Sequence, residues 1–339
     1  MKIDAALLVQ DLSKAGAAAR ALEDAGCDGG FTFEGPHDPF FPLALAARET
    51  SRLELYTAVA IAFARNPMIV AQLAWDLQGL SGGRFTLGLG SQIRAHIERR
   101  FGEPWSQPAA RMREFVLALR AIWASWQSGE KLEFRGEFYV HTLMTPFFDP
   151  GPLACGPPRV FLAGVGPRMT EVAGEVADGF LVHPFHTPEF VRQQTLPALE
   201  RGLTRGERRR NELEIAAQVM VAVGRTRDEL ANALAAVRGQ IAFYGSTPAY
   251  RSVLEQHGWG SLQPELNALS KRGYWPEMTK LIRDEMVEAI AVTGTPAEVA
   301  AKLAARCSFA QRVALVAPYG IDPGVLEELI RALRAAASV

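Results

Sequence analysis

Eight short apolar runs, each followed by a segment of helical character, recur along the 339 residues of this chain. They fall at residues 3–9, 29–34, 53–61, 85–90, 159–163, 180–183, 213–223 and 313–316. No other feature limits the fold as strongly. A strand that returns through a helix pairs in parallel with its predecessor, because the crossover takes a dozen or more residues. Eight such units predict an α/β fold, a closed (β/α)8 TIM barrel with insertions, as one domain over residues 1–339. The rival is an open doubly wound sheet, which requires the strand order to reverse. Two stretches leave the alternation, at about 129–158 and 244–292. Excursions of this length in compact domains often carry function. The first holds a candidate hairpin over 134–139, and the second holds helices.

The unit from Asn66 to His96 is the most sharply marked. Asn66 is expected to cap a helix that Pro67 opens. Val70, Leu73, Ala74 and Leu77 then form one apolar stripe, and Ser81-Gly82-Gly83 ends the helix. In the strand that follows, Phe85, Leu87 and Leu89 share one face, while Thr86, Gly88 and Gly90 share the other. A face without bulk predicts the close approach of a ligand or of another backbone. Ser13 is expected to cap the first helix and Thr226 the helix after strand seven. Thr295 with Glu298 reads as a capping box.

Charged residues make up 22% of the chain and the net charge is −1, so no general attraction to nucleic acid or to an anionic membrane is expected. The basic run 205–210 also contains Glu207 and reads as a solvated loop. Three cysteines without a CxxC pair argue against a disulfide scaffold or a structural zinc site and fit a reducing, cytoplasmic setting. Met1-Lys2-Ile3-Asp4 lacks the apolar segment of a signal peptide. No apolar stretch of ~20 residues is present to span a membrane.

In a parallel barrel the chemistry gathers where the strands end. Those ends supply Glu34 to Asp38 after strand two, the segment through Ala58 and Val59 to Asn66 at strand three, and Ser91, Gln92 and His96 after strand four. Gly164 to Met169 follow strand five, and His183 to His186 follow strand six. Four of the six histidines, His37, His96, His183 and His186, lie on this rim. At Gly164-Val165-Gly166-Pro167 a strand runs into two glycines and a helix start, where backbone N–H groups and the helix dipole suit a phosphate. The sequence lacks a metal constellation, a GxSxG elbow and a P-loop. A rim of polar groups without a nucleophile points to a bound cofactor doing the difficult chemistry.

The run from Asn66-Pro67 through Asp76-Leu77-Gln78-Gly79-Leu80-Ser81-Gly82-Gly83-Arg84-Phe85 into Leu87-Gly88-Leu89-Gly90 resembles the signature of the bacterial luciferase-like family. Pro158 through Gly166-Pro167, with Ala173-Gly174 and Ala177-Asp178-Gly179-Phe180, resembles the second signature of that family. The likeness covers most of the chain in order. Within the family, His37-Asp38-Pro39-Phe40, Gly90-Ser91-Gln92 and His96 to Phe101 resemble oxidoreductases that use the deazaflavin coenzyme F420. The resemblance implies an eight-stranded barrel with the flavin-like ring in its mouth. It implies a bulge after strand three, often with a non-proline cis peptide, at Ala58-Val59. It also implies phosphate binding by Gly164, Val165, Gly166, Pro167, Arg168 and Met169, and gives the Gly88 and Gly90 face the reason that the ring needs room. The family's sugar-phosphate dehydrogenases carry an acidic residue where Ile93 stands here, so a sugar phosphate is not the expected substrate.

The function expected is hydride transfer between coenzyme F420 and a small organic substrate. His37 is the expected acid or base, with Glu34 or His183 tuning or replacing it. Asp38, Ala58, Val59, Ser91, Gln92, His96 and the loop 164–169 are the expected cofactor contacts. Two other readings stand beside it: an FMN-dependent monooxygenase, and a barrel that binds flavin or deazaflavin without turnover. A homodimer is the expected assembly, with neither nucleic acid nor membrane as partner.

Overall fold

In the computed structural model, which describes residues 1–336, the barrel strands are β1 (Lys2–Ala6), β2 (Gly29–Thr32), β3 (Glu54–Thr57), β4 (Phe85–Gly90), β5 (Arg159–Gly164), β6 (Gly179–Val182), β7 (Glu214–Val223) and β8 (Arg312–Val316). Each pairs in parallel with the next, and β8 returns to β1. The circle closes without a reversal of order, so the barrel is realised and the open sheet is not. β1 and β2 are shorter than their apolar runs. Their last ladder bond runs from the Leu7 N–H to the Phe31 carbonyl, and beyond it the two chains part to build the rim.

Around the barrel lie α1 (Ala15–Asp24), α2 (Phe40–Glu49), α3 (Pro67–Leu80), α4 (Pro108–Ser128), α5 (Pro167–Val176), α6 (Leu196–Arg205), α7 (Arg227–Gly245), α8 (Pro296–Arg306) and α9 (Pro323–Ala336). Asn66 caps α3 by accepting the Met68 N–H at 2.9 Å. Thr226–Glu229 and Thr295–Glu298 each form a reciprocal capping box. Ser13 does not cap α1. It sits inside a short 3₁₀ turn that Asp11 caps, because the aspartate side chain reaches both the Ser13 N–H and its hydroxyl. The basic run 205–210 is tied down by Glu171, Glu175, Glu200 and Glu212 and by backbone carbonyls.

The first excursion contains the expected hairpin, with Phe134–Arg135 antiparallel to Val140–His141. Glu114 on α4 holds it by accepting the N–H groups of Glu137, Phe138 and Tyr139 at 2.8, 2.7 and 2.6 Å. The second excursion forms four helices, Arg251–Glu255, Leu262–Lys271, Trp275–Lys280 and Asp284–Ile290, of which the last three pack on α7 and the first on Leu262–Lys271. These share an apolar core built from Phe185, Met220, Ile241, Leu266, Met278 and Ile290. The excursion closes with Val292–Gly294, paired to the upper half of β7.

The barrel interior is layered, as the alternation of side chains along each strand requires. At the bottom Arg312 is buried among carboxylates. It donates to both Asp4 oxygens at 2.9 Å and to Glu214 at 3.2 Å, and it also pairs with Glu54. The Tyr56 hydroxyl donates to Asp4 at 2.9 Å. Gly29 makes room for this group, since a Cβ there would lie 2.5 Å from an Asp4 oxygen. Removing one partner would leave a buried charge unpaired, which costs about 3–5 kcal/mol. Above the charges comes an apolar layer of Phe31, Tyr56, Phe161, Leu181, Ala216 and Ala314.

Strand three does not run unbroken to residue 61. Tyr56 faces Thr86 and Ala60 faces Leu89, so four steps on one strand oppose three on the other. The extra residue is a β-bulge. It contains a cis peptide between Ala58 and Val59. The Thr57 hydroxyl bridges the gap, donating to the Gly88 carbonyl at 2.6 Å and accepting the Gly88 N–H at 2.9 Å. This decides the glycine face in favour of another backbone and corrects the reason that the ring needs room there. A Cβ on Gly88 would sit 1.8 Å from the Thr57 carbonyl oxygen, and one on Gly90 would sit 2.7 Å from Val59. Both glycines make room for the chain's own bulge and not for a ligand directly.

Candidate active site

The mouth of the barrel has a floor of small apolar side chains. Ala6, Ala58, Val59, Ala163 and Val316, from strand ends around the barrel, lie partly open above the Phe31–Tyr56–Phe161 layer. Such a floor suits a flat aromatic ring and offers no polar group that would be left unpaired beneath it.

On one side of the mouth stands the loop after β2. His37 is exposed, and its Nε2 lies 3.1 Å from the Gln10 carbonyl oxygen. A carbonyl only accepts, so Nε2 carries a proton and Nδ1 keeps the lone pair in the neutral ring. Glu34 and Asp38 flank the histidine, and Arg65 joins them. Arg65 forks onto Glu34 at 2.6 and 3.0 Å and reaches Asp38 at 2.8 Å. Burial opposes its charge, but the bonds to Glu34 and Asp38 prevail and hold its pKa above the ordinary arginine value. Glu34 also accepts the Ile61 N–H at 3.0 Å, and Asp38 accepts the Phe40 N–H at the start of α2 at 2.9 Å. Both carboxylates are thus engaged by the chain itself.

After β4, Gln92 adopts a left-handed φ of 60° and folds its side chain onto the Ile93 N–H at 3.0 Å, while the Ser91 hydroxyl donates to the Gln92 carbonyl. A non-glycine residue in this conformation is uncommon. His96 lies exposed on the short helix Arg94–Arg99.

After β5, the loop Gly164–Met169 opens α5. Gly166 is the N-cap and has no side chain to cap with, so the N–H groups of Arg168 and Met169 face outward without a side-chain partner. Val165 and Pro167 line a cleft of about 340 Å³ whose other walls are Thr170, Phe190, Gln194, Thr195, Ser252, Glu255 and Gln256. The two glycines differ. A Cβ on Gly164 would meet Met169 at 2.7 Å, whereas one on Gly166 would enter open space. Gly166 is therefore the residue whose missing side chain leaves room, and Gly164 serves the packing of the turn. Arg168 is exposed.

After β6, His183 lies tilted against Tyr250, with ring centroids 4.4 Å apart and planes at 40°, and meets Tyr244 edge-on at 4.8 Å. Its Nδ1 accepts the Phe185 N–H at 3.1 Å, so Nε2 bears the proton of the neutral ring. Burial pushes its pKa down to about 3 and keeps it a neutral donor near neutral pH. His186 faces inward instead. Its Nδ1 bonds the His183 carbonyl at 2.8 Å, and burial together with the charge of Arg306 brings it also to about 3. Its Nε2 and the Arg306 Nε are buried without hydrogen-bond partners among the described residues.

The structure therefore joins Glu34, Asp38, Val59 and Ile61 through Arg65 and backbone bonds, while His37, on the same loop, bonds Gln10, and His183 stands four strands away across the barrel. It does not join His96 or His186 to them by any contact. Arg65, Tyr244 and Tyr250 were not marked by sequence. Arg65 pairs with groups 27 and 31 residues away, and both tyrosines come from where α7 gives way to the second excursion. The bulge, the small-residue floor and the uncapped helix start with its cleft fit a flavin-type cofactor with a phosphate. Among the described residues no three His, Cys, Asp or Glu side chains gather as a metal site, and no helix is long and apolar enough to cross a membrane.

Comparison with known proteins agrees with this geometry. Residues 2–310 match the luciferase-like monooxygenase family, and the chain belongs to that family. An uncharacterised protein of Mycobacterium tuberculosis is 58% identical over 307 residues, 91% of this chain and 90% of that protein. A second protein of the same organism, provisionally described as a coenzyme F420-dependent oxidoreductase, is 31% identical over 81% of this chain and 82% of its own length. Among solved structures, the coenzyme F420-dependent tetrahydromethanopterin reductase from Methanopyrus kandleri superposes with a TM-score of 0.81 at 22% identity, covering 98% of each chain.

Proposed function

We propose that this protein is a coenzyme F420-dependent oxidoreductase acting on a small organic substrate. The observation that carries the reading is the pairing of an apolar, small-residue mouth with an uncapped helix start beside a polar cleft. The likeness to a relative described as using coenzyme F420 supports the deazaflavin over FMN. When bound, the deazaflavin supplies or takes up the hydride. The chain's own part is to hold the ring against Ala58 and Val59, to bind the phosphate at Gly166–Met169, and to move a proton at the substrate. His37 is the proton carrier, because its Nδ1 is left open by the bond from Nε2 to Gln10. His183, neutral and donating from Nε2, orients a carbonyl or ring oxygen from the opposite wall. Glu34 and Asp38 hold the loop and do not transfer the proton.

Titration of the purified protein with coenzyme F420 and, separately, with FMN tests the reading through ligand fluorescence. Micromolar binding of the deazaflavin and weaker binding of FMN are expected. Micromolar FMN binding with no response to the deazaflavin would transfer the protein to the monooxygenase class.

A further inference from the structure

Arg65 stands where the loop that carries His37 meets the bulge that floors the mouth. Its guanidinium holds Glu34 and Asp38 on either side of His37 and donates to the Ile61 carbonyl at 3.2 Å. The Arg65 side chain is 14% exposed and that of Glu34 is 9% exposed, so water is a poor substitute for either partner. Glu34 closes the other half of the circuit. Its N–H donates to the Val59 carbonyl at 3.0 Å and its carboxylate accepts the Ile61 N–H, so it touches the bulge on both sides of Ala60. The guanidinium also lies over the Phe40 ring, 5.6 Å from its centroid, at the start of α2. One side chain thus ties three separately folded pieces: the bulge, the His37 loop and the α2 start. A lysine could not do this, since a single ammonium has no planar fork to span two carboxylates.

We propose that Arg65 is a positioning residue that sets the spacing between His37 and the ring-supporting bulge, acting through Glu34 and Asp38 and touching neither substrate nor cofactor. This rests on the reading of His37 as proton carrier and of Ala58-Val59 as the ring support. Its structural core, the joint ordering of two segments by one guanidinium, is tested without cofactor.

Hydrogen exchange of the cofactor-free protein, read by mass spectrometry, compares the parent with Arg65→Gln and Arg65→Lys. Exchange should accelerate at least tenfold in peptides over 33–40 and 58–62 together in Arg65→Gln, less in Arg65→Lys, and stay unchanged over β5 to β8. Exchange equal to the parent in both segments overturns the proposal. If Arg65→Gln exchanges rapidly throughout, Arg65→Lys, which keeps the cation, decides. A second readout uses coenzyme F420 and the deazaflavin riboside that lacks the phosphate. Arg65→Gln and Glu34→Gln should each weaken both ligands by the same factor, tenfold or more, and the double variant should lose no more than either single one. Additive losses, or a loss confined to the phosphate-bearing ligand, overturn the proposal. Failure of the parent to bind either deazaflavin would defeat the cofactor assignment, and the exchange pattern would still decide for or against Arg65.

Discussion

Single glycines on this chain do opposite jobs, and the difference can be measured. Gly88 faces the Thr57 carbonyl of its neighbour strand, so Gly88→Ala pushes a Cβ into backbone that cannot yield. A loss of stability of roughly 1–3 kcal/mol or more is expected, seen as a lower denaturation midpoint. Gly166 sits in extended backbone, φ −78° and ψ 148°, with open space beyond it. Gly166→Val should fold with the parent's stability and lose coenzyme F420 about tenfold or more, ~1.4 kcal/mol, while the phosphate-free riboside binds as before. Equal affinity of parent and variant for the full cofactor would place the phosphate elsewhere. His37→Ala should lower turnover by about 10²–10⁴-fold with cofactor affinity near that of the parent. An undiminished rate would remove His37 from the mechanism. At this scale the sequence was legible where a residue acts on its own segment, as Asn66 and Thr295 do in capping their helices. At Gly88 it left ligand and backbone as alternatives, because what fills the space beside a glycine is decided by a residue on another strand.

Strands and helices were placed well by their periodicity, because period and punctuation are local. The bulge and its cis peptide at Ala58-Val59 were reached through the family likeness and not through periodicity. The run 53–61 is unbroken β-forming sequence, and the extra residue exists only in the count against β4. The buried end of β8 was also missed, since Arg312 reads as the solvent boundary of a strand until its carboxylate partners are seen. The turn after β6 carries a pH dependence. His186 is 2% exposed and its pKa lies far below the ordinary value near 6.5 through burial and the charge of Arg306. The unfolded chain therefore binds a proton below pH ~6.5 that the folded chain refuses until about 3. Stability from this group is complete above pH ~6.5 and is lost as pH falls, at ~1.4 kcal/mol per unit. His183, lowered likewise, adds to this slope, and Asp4, raised to about 6 by burial, opposes it, so the measurement is the difference between parent and variant: denaturant unfolding at pH 7, 6 and 5 should show a shallower loss of stability in His186→Gln. A variant with the parent's slope would show that His186 is already charged in the folded protein.

The molecule as a whole exposes several apolar side chains, among them Phe41, Leu143, Phe243 and Trp275, and one exposed pair stands beside a groove. Phe147 and Phe148 are 89% and 63% exposed, and Phe148 borders a groove of about 400 Å³ with Ile69, Leu73, Trp75 and Trp126. Exposed aromatic surface beside a groove marks a contact region. A homodimer is expected in solution, and Phe147→Ser with Phe148→Ser should shift sedimentation equilibrium toward monomer. A parent that sediments as a monomer at tens of micromolar would end that expectation. The second excursion has a different consequence. It supplies Tyr250 to the wall around His183 and Ser252, Glu255 and Gln256 to the cleft beside Gly166. On the proposed reading, one inserted segment lines both the reacting end of the site and its anchoring end, while the barrel that carries His37 is left alone. Selectivity for substrate and grip on the cofactor's tail would then change together, and a relative with a different insert would keep the same proton-transfer loop yet answer to a different pair of ligands.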